Sequence, residues 1–118
     1  MPKIVAYLGL GNMGGAMAAN LLKNGFEVRG FDPSPAARGR AEEQGIRTFA
    51  SAAEAASGAQ VICSSVPETR HAEEAYLGEK GALAAAPEGA VCFDLSTITA
   101  DGSQKIAAEA QKRGIRFL

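Results

Sequence analysis

The sequence lacks the features that mark disulfide-rich, metal-binding, nucleic-acid-binding and membrane proteins. It has no tryptophan, one histidine and two cysteines among 118 residues, so we expect neither a disulfide framework nor a metal site. Acidic and basic residues nearly balance at a net charge of −1, which argues against a nucleic-acid or membrane-surface partner. No apolar run approaches the roughly 18 residues of a membrane span, and no signal peptide is visible. These absences favour one globular domain in the reducing cytoplasm.

The most informative stretch covers residues 4–32. The apolar run Ile4–Leu8 predicts a strand, residues 15–24 have a helical pattern, and Glu27–Phe31 predicts a second strand that leads into Asp32. Between the first strand and the helix stands a glycine-rich turn, Gly9-Leu10-Gly11-Asn12-Met13-Gly14. Strand, glycine turn, helix, strand and acid, in that order, are the fingerprint of a dinucleotide-binding site.

Each of the three glycine positions in that fingerprint requires glycine for a different physical reason. Gly9 allows a tight turn out of the strand, Gly11 allows a pyrophosphate to approach the backbone, and Gly14 allows the helix to pack closely on the strand. The first N–H groups of the helix have no partner inside it, and the helix dipole adds partial positive charge there. The turn is therefore predicted to bind the phosphates of a dinucleotide.

Asp32 follows Gly11 by 21 residues, close to the spacing of about 20 typical of the acid that binds the adenosine ribose. Its negative charge opposes a 2′-phosphate, so we predict NAD as the cofactor in preference to NADP. Arg38 and Arg40 follow on the next predicted helix. Two interpretations of them remain open, a solvated helix face and a clamp on a 2′-phosphate.

Strands and helices alternate along the rest of the chain. Strands are predicted at 46–49, 60–66, 90–95 and 115–118, helices at 36–44, 51–56, 68–77 and 99–113, and a short helical turn at 82–86. The 60–66 strand is predicted to be buried on both faces, and Cys63 and Cys92 to be small core side chains. We therefore predict an α/β fold of three layers (αβα), a doubly wound parallel sheet of the Rossmann NAD(P)-binding type, with residues 1–118 as one dinucleotide-binding domain.

The glycine turn and the segment 17–25 resemble the opening of the β-hydroxyacid dehydrogenases. That family includes 3-hydroxyisobutyrate dehydrogenase, tartronate semialdehyde reductase and 6-phosphogluconate dehydrogenase. Asp94-Leu95-Ser96-Thr97 is similar to the Asp-x-Ser-Thr segment of the family. The resemblance covers the whole chain but only the first part of a typical member, which has a second, helical domain. It implies an oxidoreductase that transfers a hydride between nicotinamide and a small 3-hydroxyacid or semialdehyde.

The resemblance also implies a set of cofactor-binding residues. Thr97 would contact the nicotinamide end, Ser96 would shape the substrate pocket, and His71 would lie near the nucleotide. Ser96 and Thr97 have the alternative of only capping the next helix, and His71 that of an exposed helix residue. The full predicted cofactor set is Gly9, Leu10, Gly11, Asn12, Met13, Gly14, Asp32, Val66, Pro67, His71 and Thr97.

Family members use a lysine on a long helix after the sheet and a Ser-Gly-Gly loop for the substrate carboxylate. None of Lys3, Lys23, Lys80, Lys105 and Lys112 matches that motif; all are expected at strand edges or on helix surfaces. We therefore assign no catalytic residue and expect the isolated chain to bind cofactor without turnover. The surface that a second domain would cover is expected to favour self-association. Two alternatives remain, a stand-alone dinucleotide-binding regulatory module and an S-adenosylmethionine-binding methyltransferase.

Overall fold

A computed structural model describes residues 3–118, so the first two residues of the predicted domain lie outside the described range. Six strands alternate with five α-helices, and one 3₁₀ turn spans Ala82–Ala84. The strands are β1 (Ile4–Leu8), β2 (Glu27–Phe31), β3 (Arg47–Thr48), β4 (Val61–Ser64), β5 (Val91–Asp94) and β6 (Arg116–Phe117). The helices are α1 (Asn12–Lys23), α2 (Pro35–Glu43), α3 (Ala52–Ala56), α4 (Thr69–Tyr76) and α5 (Ala100–Lys112).

The strands form one parallel sheet in the order β3-β2-β1-β4-β5-β6. Successive β1 residues point to opposite faces, so Tyr7 packs with α1 and α2, while Ala6 and Leu8 pack with α3, α4 and α5. The predicted three-layer, doubly wound fold is confirmed. The strand order reverses between β1 and β4, which is where open sheets of this kind bind ligands.

Helix α1 begins at Asn12, three residues before the predicted start. Gly11 is its N-cap, and the N–H of Gly15 donates to the carbonyl oxygen of Gly11 at 2.7 Å. The predicted start of the helix was wrong because glycine has a low helix propensity. In the folded domain, tertiary packing overrides that propensity. Gly14 lies buried in the first turn of α1, and an added Cβ would overlap the carbonyl oxygen of Gly9. The glycine turn and the helix start are thus one continuous structure.

The remaining strands are shorter than predicted. β3 and β6 have two residues each and lie at the two edges of the sheet, where each has one hydrogen-bonded neighbour. β4 ends at Ser64. Its Ile62 and Ser64 are fully buried, whereas Val61 and Cys63 on the other face are only partly buried, so the predicted burial is confirmed for one face and is partial for the other. Cys92 is fully buried, as predicted for a core residue.

Three helices begin with the side-chain caps that their sequences indicate. Ser34 accepts from the N–H of Ala37 at 3.2 Å, Ser51 from that of Glu54 at 3.1 Å, and Thr99 from that of Gly102 at 3.1 Å. Helix α1 has no such cap and no acidic residue in its first turn. No helix within residues 3–118 is long and apolar enough to cross a lipid bilayer.

Candidate functional site

A groove of about 790 Å³ lies at the carboxyl ends of the strands, over the point where the strand order reverses. It is lined by residues from the glycine turn, the end of β2, the loop after β3, the loops after β4 and β5, and the exposed side of α4. Ten of the twelve predicted binding residues line it: Gly9, Gly11, Asn12, Met13, Gly14, Asp32, Val66, Pro67, His71 and Ser96.

The backbone of the turn depends on glycine at two positions for steric reasons. Gly9 has φ +94°, and an added Cβ would overlap the carbonyl oxygen of Ser65. Gly14 is closed to a side chain by Gly9 itself. Gly11 differs, because its Cβ position has no atom within 4 Å and its φ is −67°. The space beside Gly11 is therefore part of the groove, open to a ligand that approaches the backbone.

The first turn of α1 offers hydrogen-bond donors to that space. Asn12, Met13 and Gly14 occupy the three positions before the first intrahelical bond, and all three line the groove. N–H groups at these positions have no partner inside a helix. Because α1 has no side-chain cap and no acidic residue within its first turn, these N–H groups and the helix dipole are suited to bind an anion.

Asp32 closes one end of the groove, and its carboxylate is fixed by two backbone donors. Oδ2 accepts from the N–H of Leu10 at 2.7 Å, and Oδ1 accepts from the N–H of Ser34 at 2.8 Å. Each carboxylate oxygen has more than one lone pair, so both retain capacity for hydroxyl groups of a ligand. Nearby, Nη1 of Arg38 donates to the backbone carbonyl of Asp32 at 2.6 Å, whereas Arg40 is exposed.

Leu10 is the one member of the predicted turn that does not line the groove. Its side chain is 2% exposed and packs over Gly30 of β2, whose added Cβ would lie 3.1 Å from Leu10 Cδ1. Its N–H is bonded to Asp32. The structure therefore places Leu10 beneath the turn, where it holds the acid in place.

The opposite end of the groove is formed by the loops after β4 and β5. Oγ of Ser96 accepts from the N–H of Val66 at 2.7 Å, and the N–H of Ser96 donates to Asp94 Oδ1 at 2.6 Å. Thr97 is exposed and is not among the lining residues. The side-chain cap of α5 comes from Thr99, so the alternative in which Ser96 and Thr97 only cap that helix is wrong.

Helix α4 and the turn after it form a further wall. His71 is half-buried and lines the groove, and its Nδ1 is buried without a hydrogen-bond partner within the described chain. Lys80 is exposed, and it lies in this wall next to α3, where its carbonyl oxygen accepts from the N–H of Ala53 at 3.0 Å. Helix α4 therefore presents His71 to the groove.

Other lining residues were absent from the sequence-based set: Leu8, Phe31, Pro33, Ser34, Ala50, Ser51, Ala52, Ser65, Glu74, Ala75, Lys80 and Leu95. A signal existed for Ala50 and Ser51, because they follow a strand at its carboxyl end, where parallel sheets carry their sites. Ser65 is linked to the core beneath the turn, since its Oγ lies 2.8 Å from the Tyr7 hydroxyl. Burial raises the pKa of the Tyr7 hydroxyl above its ordinary value of 10.0.

Comparison with known proteins gives consistent matches. The sequence profile described as the NAD binding domain of 6-phosphogluconate dehydrogenase matches residues 4–118. The chain is 43% identical to a 3-hydroxyisobutyrate dehydrogenase of Pseudomonas aeruginosa, over 97% of this chain and 38% of that protein. It is 38% identical to an NAD-dependent L-serine dehydrogenase of the same organism, over 98% of this chain and 39% of that protein.

A solved structure of Mycobacterium tuberculosis 3-hydroxyisobutyrate dehydrogenase with L-serine superposes with a TM-score of 0.89 at 37% identity. The match covers 99% of this chain and 39% of that one. The chain thus spans about two fifths of the length of the relatives it matches.

Proposed function

This chain belongs to the NAD-binding domain family of 6-phosphogluconate dehydrogenase, and we propose that it is the cofactor-binding part of an enzyme similar to 3-hydroxyisobutyrate dehydrogenase. The family predicted from the glycine turn is confirmed, and dinucleotide binding follows from it. The membership favours a dinucleotide over S-adenosylmethionine as ligand. The observation that carries the proposal is the open space at Gly11, in front of the uncapped first turn of α1.

We expect the dinucleotide to lie along the groove in one direction. The ribose of the adenosine half would bind the carboxylate of Asp32, at the end of β2, and the diphosphate would bind the N–H groups that open α1. The nicotinamide half would then lie towards Val66 and Ser96, at the ends of β4 and β5. His71 lines the groove from α4, so its ring would contact the cofactor from that wall.

We propose that the cofactor is NAD in preference to NADP. Two backbone donors fix the Asp32 carboxylate, so it cannot rotate away from a 2′-phosphate without breaking a hydrogen bond. Like charges at close range are strongly disfavoured. Nη1 of Arg38 donates to the backbone carbonyl oxygen of Asp32 and not to its carboxylate, so we expect the carboxylate to be the charge nearest the ribose.

In the parent enzyme, the bound nicotinamide would exchange a hydride with the hydroxyl-bearing carbon of a small 3-hydroxyacid, or with the corresponding semialdehyde. This chain would hold and orient the cofactor. Among the described residues, Lys80 is the one lysine that lines the groove, and its carbonyl oxygen is bonded to the N–H of Ala53 in α3. We assign it no catalytic role, and we expect the chain alone to show no turnover. The cytoplasmic location and self-association stay predictions.

Calorimetric titration of the 118-residue chain with NAD and with NADP tests the proposal. We expect NAD to bind, and NADP to bind at least about tenfold more weakly. The reason is that the repulsion between the Asp32 carboxylate and the 2′-phosphate costs more than about 1.4 kcal/mol. Equal affinities would overturn the cofactor preference, and no binding of either dinucleotide would overturn the proposed function. Turnover by this chain with a small hydroxyacid would overturn its assignment as a cofactor-binding part without catalysis.

A further inference from the structure

A buried tyrosine on α4 is connected to the groove by successive hydrogen bonds. The hydroxyl of Tyr76 donates to Ser64 Oγ at 2.7 Å, and Ser64 Oγ donates to Asp94 Oδ2 at 2.9 Å. Tyr76 and Ser64 have no exposed surface. Apart from tyrosine and cysteine, Ser64 is also the one buried polar residue within residues 3–118. Buried polar groups almost always have hydrogen-bond partners. Here the partners lead towards the carboxyl ends of the strands, where the groove lies.

The connection continues from the carboxylate of Asp94 into two loops. Asp94 Oδ1 accepts from the N–H of Ser96 at 2.6 Å, and Ser96 Oγ accepts from the N–H of Val66 at 2.7 Å. Ser64 and Asp94 are directly paired in the register of β4 and β5. One carboxylate therefore holds the loop after β5 and, through Ser96, the loop after β4. We call Tyr76, Ser64, Asp94, Ser96 and Val66 the tyrosine relay.

The relay has one consistent arrangement of its hydrogens. An ionised carboxylate only accepts, so Ser64 must donate its single hydrogen to Asp94. The hydrogen that Ser64 Oγ accepts must then come from Tyr76. Phenylalanine would keep the edge-to-face contact with Phe117, whose ring centroid lies 5.1 Å away, but would leave Ser64 without its donor. The relay thus depends on the hydroxyl at position 76 and not on the ring alone.

We propose that Tyr76, Ser64 and Asp94 are positioning residues for the nicotinamide half of the cofactor. The inference rests on the proposed function. Val66 and Ser96 line the end of the groove opposite Asp32, so the relay sets the distance between the two loops on which the nicotinamide half would lie. None of its hydrogen bonds reaches the glycine turn or Asp32, although the Val66 side chain packs beside Gly9. We therefore expect loss of these hydrogen bonds to act on the nicotinamide half of the dinucleotide.

The test compares NAD with ADP-ribose, which has the adenosine and diphosphate but lacks the nicotinamide. In the variants Tyr76→Phe and Ser64→Ala we expect NAD affinity to fall about threefold to tenfold, the range of one hydrogen bond, with ADP-ribose affinity unchanged. Ile106→Val is the control, because Ile106 is a fully buried residue of α5 outside the relay. It should lower Tm and leave the ratio of the two affinities as in the wild type.

If the variants lose affinity equally for NAD and ADP-ribose, or lose no affinity for either ligand, the proposed positioning role of the relay is refuted. If the wild type binds neither ligand, the proposed function fails; if it binds both with equal affinity, the proposed function survives and the positioning role fails. A second measurement needs no ligand. In Tyr76→Phe, or in Asp94→Asn if the first does not fold, the amide resonances of Val66 and Ser96 should shift while that of Ser34, bonded to Asp32, stays in place. Unmoved Val66 and Ser96 resonances would equally refute the relay.

Discussion

Asp32 Oδ2 lies 2.7 Å from the backbone nitrogen of Leu10, so the acid at the end of β2 is bonded to the glycine turn at the end of β1. The proposed ribose site and the proposed phosphate site are therefore parts of one rigid arrangement. Its geometry is set before any ligand arrives, since Gly9 N–H also donates to the carbonyl oxygen of Phe31 at 2.9 Å. Preorganisation of this kind reduces the ordering cost of binding.

Replacing Asp32 by alanine should weaken NAD about tenfold to a hundredfold, because hydrogen bonds to a charged group contribute roughly 1.5–3 kcal/mol. NADP should be affected much less, since the same change removes the repulsion of its 2′-phosphate. Calorimetry with both dinucleotides measures the two changes. Glu43→Ala, which removes an exposed carboxylate on α2, is the matched control and should alter neither affinity. An unchanged NAD-to-NADP ratio in Asp32→Ala would contradict the ribose assignment.

Gly11→Val should abolish NAD binding and leave the domain folded. The added side chain enters open space at an ordinary φ, where it blocks the approach of a diphosphate to the backbone. Gly14→Ala provides the contrast, because its methyl group would overlap a backbone carbonyl; we expect a large loss of Tm. Circular dichroism and calorimetry separate the two effects. Retained NAD affinity in Gly11→Val would remove the argument for the phosphate turn.

A glycine on the surface of α2 gives the control for these substitutions. Gly39 has no neighbour within 4 Å of its Cβ position, so Gly39→Ala should stabilise the protein by about 0.5–1 kcal/mol through helix propensity alone. Urea denaturation measures the gain. NAD affinity should stay at the wild-type value, and a change would show that substitutions of glycine act on binding through general stability.

The stability of the domain should fall as pH rises above about 9. Burial raises the pKa of Cys92 from 9.0 to about 12, with a smaller contribution from Cys63, and raises that of Tyr76 well above 10.0. The folded state then retains protons that the unfolded state has released, so unfolding becomes more favourable across pH 9 to 12. Urea denaturation from pH 8 to 11 measures the slope.

Cys92→Ala identifies the source of that slope. The variant removes the thiol and should be less stable at pH 8, because a buried atom is lost. Its stability should decline less steeply above pH 9 than that of the wild type. A slope identical to the wild type would show that the thiol of Cys92 is not the group responsible. Neither cysteine forms a disulfide, so added reductant should leave both curves unchanged.

Leu10 and Gly30 are predicted to be energetically coupled. An added Cβ at Gly30 would lie 3.1 Å from Leu10 Cδ1 and 3.2 Å from Ile46 Cγ2, so Gly30→Ala should cost about 1–3 kcal/mol by overpacking. Leu10→Ala should cost about 2–5 kcal/mol as a buried truncation. Because the truncation makes room for the methyl group, the double variant should be more stable than the sum of the single losses. Strict additivity would contradict this contact.

Local sequence patterns predicted most of the fold. The bounds of β1 and β2 were right because each is an extended segment bordered by glycine or by the terminal acid, and the caps at Ser34, Ser51 and Thr99 have direct local signals. The start of α1 was missed because Gly14 and Gly15 are poor helix formers. Their burial against the preceding turn is a tertiary property. Sequence patterns therefore predict elements more reliably than their ends.

The part of the site that could be predicted lies within one continuous segment, where the glycine turn and Asp32 form a recognisable motif. The position of Lys80 depends on how the turn after α4 meets α3, which no local pattern indicates. The tyrosine relay joins residues 12 and 30 positions apart. It exists only because β4 and β5 pair in the register that places Ser64 beside Asp94. Such long-range pairs require the structure.

The most direct measurement of the central claim is a crystal structure of this chain with NAD. It should show the diphosphate within hydrogen-bonding distance of the N–H groups of Asn12, Met13 and Gly14, and the adenosine ribose hydroxyls on the carboxylate of Asp32. The nicotinamide should extend towards Val66 and Ser96. A structure in which NAD lies elsewhere while this groove remains empty would contradict the account.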